Sequence, residues 1–141
     1  MSVKGGIMVP HPPLIIPEVG RGREKEIQTT IDAYHSATRK LASWQPDTVV
    51  VLSPHSVMYM DYFHISPGTE AEGDFGQFGA PQVKIKVSYD TEFVELLSRE
   101  AQDRKIPAGT LGERAPQLDH GTMIPLWFLN HYYTDYKVVR I

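Results

Sequence analysis

Apolar positions in the first half of the chain form two short runs separated by one long helical stretch. The runs lie at 5–8 and 48–52, and each is followed by a proline and a histidine. From Arg23 to Trp44, apolar side chains recur every three, four or seven residues, as on one face of a helix. This order predicts parallel strands joined by a helix, with the valine-rich run at 48–52 buried on both faces.

The second half adds a strand of strict alternation and two more helices. Residues 83–87 alternate apolar side chains with lysines, which predicts a half-exposed edge strand whose lysines point to water. Asp90 is placed to cap a helix that ends near Lys105, and Pro125 should lie in the first turn of a third helix. Short extended segments are expected at 59–66, 106–111 and 137–141.

Strands that alternate with helices predict an α/β fold of three layers, a mostly parallel sheet with helices on both faces. In such sheets, ligands bind beyond the carboxyl ends of the strands. The 141 residues, of which 41% are apolar and 22% charged, match one globular domain. The sequence stops at Ile141 inside a predicted strand. We therefore expect 1–141 to be the N-terminal part of a longer domain, or to self-associate.

Two segments are predicted to be loops. Residues 67–81 are dense in glycine and acidic residues, and loops of this length in a small domain are commonly lids, binding loops or disordered. We expect this loop to be mobile without a ligand, since it offers little to bury. The apolar stretch 14–20, interrupted by proline and glycine, is expected to pack as a loop over a site.

Charge and cysteine content narrow the functional classes. A net charge of −3 without a basic block argues against a nucleic-acid partner. There is no run of eighteen apolar residues and no signal-peptide pattern, so the expectation is a cytoplasmic protein without a membrane partner. With no cysteine in the chain, a metal can be held only by nitrogen and oxygen ligands.

Three histidines stand where predicted elements begin or end. His11 is held between prolines, and His55 follows the apolar run at 48–52 and a proline. Since both should follow strands, their side chains are expected at the same edge of the sheet. His120 follows Asp119 just before a helical stretch, where Asp119 can also be a simple helix cap. Together these residues predict one shared site.

The remaining candidates are weaker. His64 lies among aromatic residues, where a core or pocket-wall histidine is more common than a metal ligand. Tyr62, Phe75 and Phe78 can wall a pocket for an aromatic substrate, although aromatic residues in short strands usually belong to the core. His35 is expected on the solvated side of its helix.

Three segments carry a resemblance to a known family: Pro10-His11-Pro12-Pro13, Ser53-Pro54-His55 and Leu118-Asp119-His120-Gly121-Thr122. In this order they resemble the class III extradiol dioxygenases, the LigB-type proteins, and among them the branch related to Memo. The resemblance spans nearly the whole chain. It implies a LigB-like, phosphorylase/hydrolase-like fold and a catalytic-type domain over 1–141.

The resemblance also implies a chemistry. In the family the first two histidines bind a non-haem Fe(II), which assigns His11 and His55 as metal ligands. His120 would exchange protons with the substrate while Asp119 orients its ring. The implied reaction is extradiol cleavage of a catechol-type ring with O₂, as in aromatic-compound catabolism. The expected partners are therefore a small catechol and O₂.

The family's third metal ligand, usually a glutamate, lies well beyond the Asp-His-Gly segment, as does a further catalytic histidine. This sequence ends before both. The missing oxygen ligand is expected from a continuation of the chain, with a partner subunit or an acidic residue of the chain as alternatives. The acidic candidates are Glu18, Glu70, Glu72 and Asp74.

Two other functions remain open beside the Fe(II) dioxygenase. One is a catalytically silent, Memo-like module that keeps the fold and binds a metal or ligand. The other is a hydrolase in which Zn(II) activates a bound water. A dioxygenase needs two histidines and one carboxylate, and these residues supply only the histidine pair. The chain is expected to be a homo-oligomer or the N-terminal part of a longer polypeptide.

Overall fold

Within residues 2–141, which the computed structural model describes, four α-helices are interspersed with six strands. The helices are α1 Pro17–Gly20, α2 Gln28–Ser43, α3 Thr91–Asp103 and α4 His120–Leu129. The strands are β1 Thr48–Val51, β2 Phe63–His64, β3 Glu70–Phe75, β4 Ala80–Ser88, β5 Ala108–Gly109 and β6 Lys137–Arg140. The α/β class is confirmed. Over the same residues no helix combines the length and hydropathy that a membrane span requires.

The strands pair in three small sheets grouped around β6. β1 runs parallel to β6, β2 runs parallel to β5, and β3 and β4 are antiparallel. On the side of β6 opposite β1, the Ser66 and Asp90 amides each donate to a β6 carbonyl at 2.9 Å. These bonds attach the ends of β2 and β4 to β6. The predicted single, mostly parallel sheet is thus divided into three pairs of strands, because β2 and β5 are only two residues long.

The strand expected at 5–8 does not form. These residues belong to no helix or strand, and Gly5 instead packs on the indole of Trp44, where an added Cβ would lie 2.4 Å from the ring. Among residues 2–141, β1 pairs with β6 and with no strand at its other edge. Val50 and Leu52 are exposed, Leu52 to 73%. The prediction that this run is buried on both faces was therefore wrong.

The helix predicted from Arg23 to Trp44 is confirmed, but it is divided into two parts. A 3₁₀ turn covers Arg23–Ile27, and α2 follows directly. The expected loop at 14–20 is instead a 3₁₀ turn, Pro13–Ile15, followed by α1. Ile15 and Ile16 are buried in the core, so this segment packs as part of the interior rather than over a site.

The predicted loop at 67–81 is a β-hairpin. Three acidic residues of β3 point outward, and Glu72 and Asp74 lie opposite Lys86 and Lys84 of β4. Lys86 Nζ also lies 2.9 Å from the Glu70 carboxylate. The lysines of the predicted edge strand therefore face acidic partners. The inward side of β3 is built from Ala71, Gly73 and Phe75, two of them too small to produce a recognisable apolar pattern.

Gly73 explains why the inward face of the hairpin is small. A Cβ at this position would lie 2.5 Å from the Leu118 carbonyl oxygen and 2.8 Å from Met123 Sδ. The Leu118 amide donates to the Glu72 carbonyl at 3.0 Å. The hairpin thus holds the segment that leads into α4.

Two helix caps follow the sequence pattern. Asp90 accepts a hydrogen bond from the Phe93 amide at 3.1 Å, as predicted, and Asp119 accepts one from the Thr122 amide at 3.0 Å. Because Asp119 is the cap, α4 begins at His120 and not near Pro125. The expected start was wrong, and Pro125 lies inside the helix.

We expect Phe75→Ala to lower the free energy of unfolding by about 3–5 kcal/mol, because Phe75 is 0% exposed in the core. Phe63→Ala is the matched control, since Phe63 is 62% exposed. Urea denaturation of both variants gives the comparison. Equal effects of the two changes would contradict the buried hairpin.

Candidate metal centre

Three histidine side chains converge at one point. His11 Nε2 lies 2.9 Å from His55 Nε2, and one ring nitrogen from each of His11, His55 and His120 lies within 4.8 Å of the others. The ring centroids of His55 and His120 are 4.1 Å apart. Within residues 2–141 this is the one group of three or more such side chains able to hold a metal.

Each histidine is placed by a different local device. The prolines around His11 keep its backbone extended, and Pro12 enters the 3₁₀ turn at φ −69° and ψ 128°. His55 follows β1, whose pairing with β6 is extended by the Ser53 amide donating to the Ile141 carbonyl at 3.1 Å. His120 is the first residue of α4. Contrary to expectation, His11 does not follow a strand; the prolines on either side restrict its backbone, and the preceding Val9 packs against the core.

Ser53 connects two of these segments. Its Oγ donates to Asp119 Oδ1 at 2.5 Å and accepts from the His55 amide at 3.2 Å. Thr122 Oγ1 donates to Asp119 Oδ2 at 2.8 Å. Asp119 therefore ties the turn that carries His55 to the start of α4. Orientation of the His120 ring by Asp119 stays a prediction, because in the described residues the carboxylate bonds to Ser53 and Thr122.

The Arg140 side chain supports the same hydrogen-bond network around Asp119. It is 1% exposed, and its guanidinium donates to Ser66 Oγ, the Gln117 carbonyl and the Ala115 carbonyl at 2.7–2.8 Å. Its Nη1 lies 3.9 Å from Asp119 Oδ2. Ser53 and Arg140 were not predicted. The one available signal was an arginine inside an apolar strand, where an unpaired charge is costly.

The sequence itself matches a known family. Residues 5–141 match the family described as the catalytic LigB subunit of aromatic ring-opening dioxygenase. The chain belongs to the LigB family. Protein CA_C1420 of Clostridium acetobutylicum is 34% identical over 148 residues, an alignment that covers 100% of this chain and 32% of that protein. The LigB chain described here thus spans about a third of the length of this relative. The predicted family is confirmed, and the Memo-related branch stays a prediction.

The pKa values of Asp119 and His120 in this LigB chain are both shifted downwards. Burial would raise the pKa of Asp119, but hydrogen bonds from Ser53 and Thr122 and the charge of Arg140 outweigh it and lower the pKa. Burial lowers the pKa of His120, as do the neighbouring imidazoles of His55 and His11, against the raising effect of the Asp119 carboxylate. His120 is therefore neutral over a wider pH range than a free histidine.

The predicted pocket residues do not share one wall. His64 and Tyr62 line a cleft of about 510 Å³ that also contacts Ser53. Phe78 packs edge-on against the His120 ring, with centroids 5.2 Å apart. Phe75 lies in the core, because β3 turns it inward.

The acidic candidates for a third ligand do not join the histidines. The group of ligating side chains within the described residues contains only imidazoles. Glu70, Glu72 and Asp74 are exposed, and β4 presents lysines opposite them or beside them. Glu18 is exposed in α1.

The lowered pKa of Asp119 gives a pH dependence of stability. The ionised carboxylate stabilises the fold above its ordinary pKa of 3.8, and this contribution is lost as the pH falls through the lower folded-state pKa. Between about pH 5 and about pH 2, the stability advantage of the wild type over Asp119→Asn should shrink towards zero. Urea midpoints across this range test it. Asp135→Asn, at an exposed position, is the control.

A single methyl group added at Gly121 should push the start of α4 away from the segment that carries Ser53 and His55. A Cβ there would lie 2.6 Å from Ser53 Oγ and 3.1 Å from the His55 ring. We expect Gly121→Ala to weaken metal binding about tenfold, within the range found when residues supporting metal ligands are disturbed. Gly6→Ala is the control, because a Cβ at Gly6 meets nothing within 4 Å. Isothermal titration with Zn(II) compares them, and equal affinities would refute the coupling.

Proposed function

We propose that this chain forms the metal-holding and proton-transferring part of an extradiol-type dioxygenase that opens a catechol ring with O₂. The observation that carries the proposal is the 2.9 Å approach of His11 Nε2 to His55 Nε2, with His120 beside them. Membership of the LigB family supports the reaction class. The catechol substrate and the use of Fe(II) belong to the proposal.

The side chains fit a metal ion. Two imidazole nitrogens at the usual 2.0–2.1 Å from one ion lie about 2.8–3.4 Å apart at octahedral or tetrahedral angles, and the observed separation falls in this range. Imidazole suits iron, zinc, copper and nickel alike. His11 and His55 would hold the ion. The carboxylate of a two-histidine, one-carboxylate set is not part of the cluster in residues 2–141.

The chemistry that Fe(II) would supply there is Lewis acidity towards the catechol oxygens and the redox capacity that O₂ requires. His120 is then the proton acceptor for a catechol hydroxyl, since its lowered pKa keeps the imidazole neutral near neutral pH. Phe78 packs edge-on against that imidazole. Asp119 fixes the backbone of His120 by capping α4.

A zinc-dependent hydrolase is the second candidate, and the three-imidazole donor set favours it. Three histidines with one open position are a common catalytic zinc site. In this case His120 would be a ligand and not a proton acceptor. Ring cleavage and hydrolysis require different metals, so the two functions separate by metal dependence.

The metal ligands can be tested directly. The double variant His11→Ala, His55→Ala should lose Fe(II) and Zn(II) binding with little loss of fold, because neither side chain is buried. His35→Ala, His131→Ala is the matched control, since it removes another close histidine pair, with ring centroids 5.9 Å apart. Titration calorimetry gives the affinity and circular dichroism the fold. Unchanged metal binding in the first variant would refute the site.

Turnover separates the candidate functions. Once an oxygen ligand completes the site, the Fe(II)-loaded protein, incubated with catechol in air, should give the yellow ring-opened product, and the Zn(II)-loaded protein should not. Hydrolysis of an activated ester by the Zn(II) form alone would favour the hydrolase. Metal binding without either activity would favour a silent binding module.

A further inference from the structure

A cleft of about 510 Å³ lies beside the turn that carries His55. Residues on both sides of His55 line it, and the stretch from Ser56 to His64 forms most of its wall. Its volume falls in the range of small-molecule binding sites. The cleft is far too small to hold a protein domain. The function proposed above does not yet use this cleft.

The walls suit an aromatic ring. Tyr59 and Tyr62 stand edge to face with centroids 5.9 Å apart, and Met58 and Met60 flank them. Tyrosine rings and methionine sulfur both make favourable contacts with aromatic ligands. The hydroxyl groups of the two tyrosines are already engaged, with the Gly112 carbonyl and the Leu111 amide respectively.

His64 is the polar side chain of the cleft that lacks a partner. It is 6% exposed, and its Nε2 makes no hydrogen bond in the described residues. Buried polar groups are normally paired, and an unpaired one costs about 1–3 kcal/mol. Because this nitrogen is shielded from solvent, a ligand seated in the cleft can supply the missing partner only when the His64 ring or the residues that cover it shift.

The cleft shares a wall with the metal centre. Ser53 lines it and also donates to Asp119, which precedes His120. His11, His55 and His120 do not line the cleft, whereas Pro54 and Ser56 on either side of His55 do. A ring bound at the histidines would therefore have to extend past Ser53 to enter it.

We infer that this cleft binds the substituted side of the aromatic substrate, and that His64 is a specificity-determining residue that hydrogen-bonds a polar substituent there. The inference rests on the proposed function for the identity of the ring. It favours catechols that carry a hydroxyl, carbonyl or similar group over purely alkyl-substituted ones.

The test compares two probes of nearly equal size, 4-(hydroxymethyl)catechol and 4-methylcatechol, with and without Zn(II), which avoids turnover. Amide chemical shifts report the site and the affinity. In the wild type the hydroxymethyl probe should bind about tenfold more tightly and shift residues 56–64. In His64→Phe this preference should disappear, and His64→Gln should restore part of it.

His35→Phe is the matched control, since it makes the same change outside the cleft, and it should keep the full preference. A preference that survives in His64→Phe would overturn the inference, as would shifts confined to other residues. Concentration-dependent dimerisation without probe shifts would also overturn it, assigning the exposed Leu52, Met58 and Phe63 to a contact between copies. Loss of metal binding with the probe preference intact would reject the proposed function and leave the cleft assignment standing.

Discussion

The buried guanidinium of Arg140 is the interaction on which the geometry of the metal centre depends. Removing an arginine from water costs several kcal/mol unless its donors are satisfied. Here Ser66, the carbonyls of Ala115 and Gln117, and the nearby carboxylate of Asp119 meet that requirement. Because β6 is the central strand, Arg140 fixes the irregular segment before α4 against the middle of the fold.

Polar contacts connect Arg140, through Asp119 and Ser53, to the segments that carry His120 and His55. Asp119 caps α4 and thereby places His120. Ser53 hydrogen-bonds to both the Asp119 carboxylate and the His55 amide, so it links that carboxylate to the turn that carries His55. His11 reaches the site independently, on a backbone that prolines keep extended. Three elements that are distant in sequence therefore converge at the three histidines.

The sequence predicted the parts of the site that depend on local backbone restriction. His11 and His55 are set by adjacent prolines, and Asp119 and Asp90 by capping geometry, so these could be found without the fold. The hairpin β3–β4 could not be predicted, because Gly73 is small to fit Leu118, a contact 45 positions away along the numbering. The strand expected at 5–8 failed for a similar reason, since Gly5 packs on Trp44.

The residues of the supporting hydrogen-bond network that sequence reasoning missed are of the same kind. Ser53 bonds across 66 residues to Asp119, and Arg140 bonds across 74 residues to Ser66. No periodicity or motif encodes such pairs. Charge offers a partial guide, because an arginine in an apolar strand implies buried acceptors somewhere in the fold. The identity of those acceptors requires the three-dimensional structure.

Whether His120 would bind a metal ion or accept a proton depends on what else would surround that ion. One lone pair cannot both bind an ion and accept a proton from a substrate, so a ligand role and a base role exclude each other at any instant. Three neutral imidazoles leave a divalent ion its full charge, which attracts a doubly ionised catechol strongly. A carboxylate in the third position reduces that charge and leaves His120 free for proton transfer. The lowered pKa of His120 serves either role, because both need the neutral imidazole. The choice between oxygenase and hydrolase chemistry at these histidines therefore depends on whether an oxygen ligand completes the site.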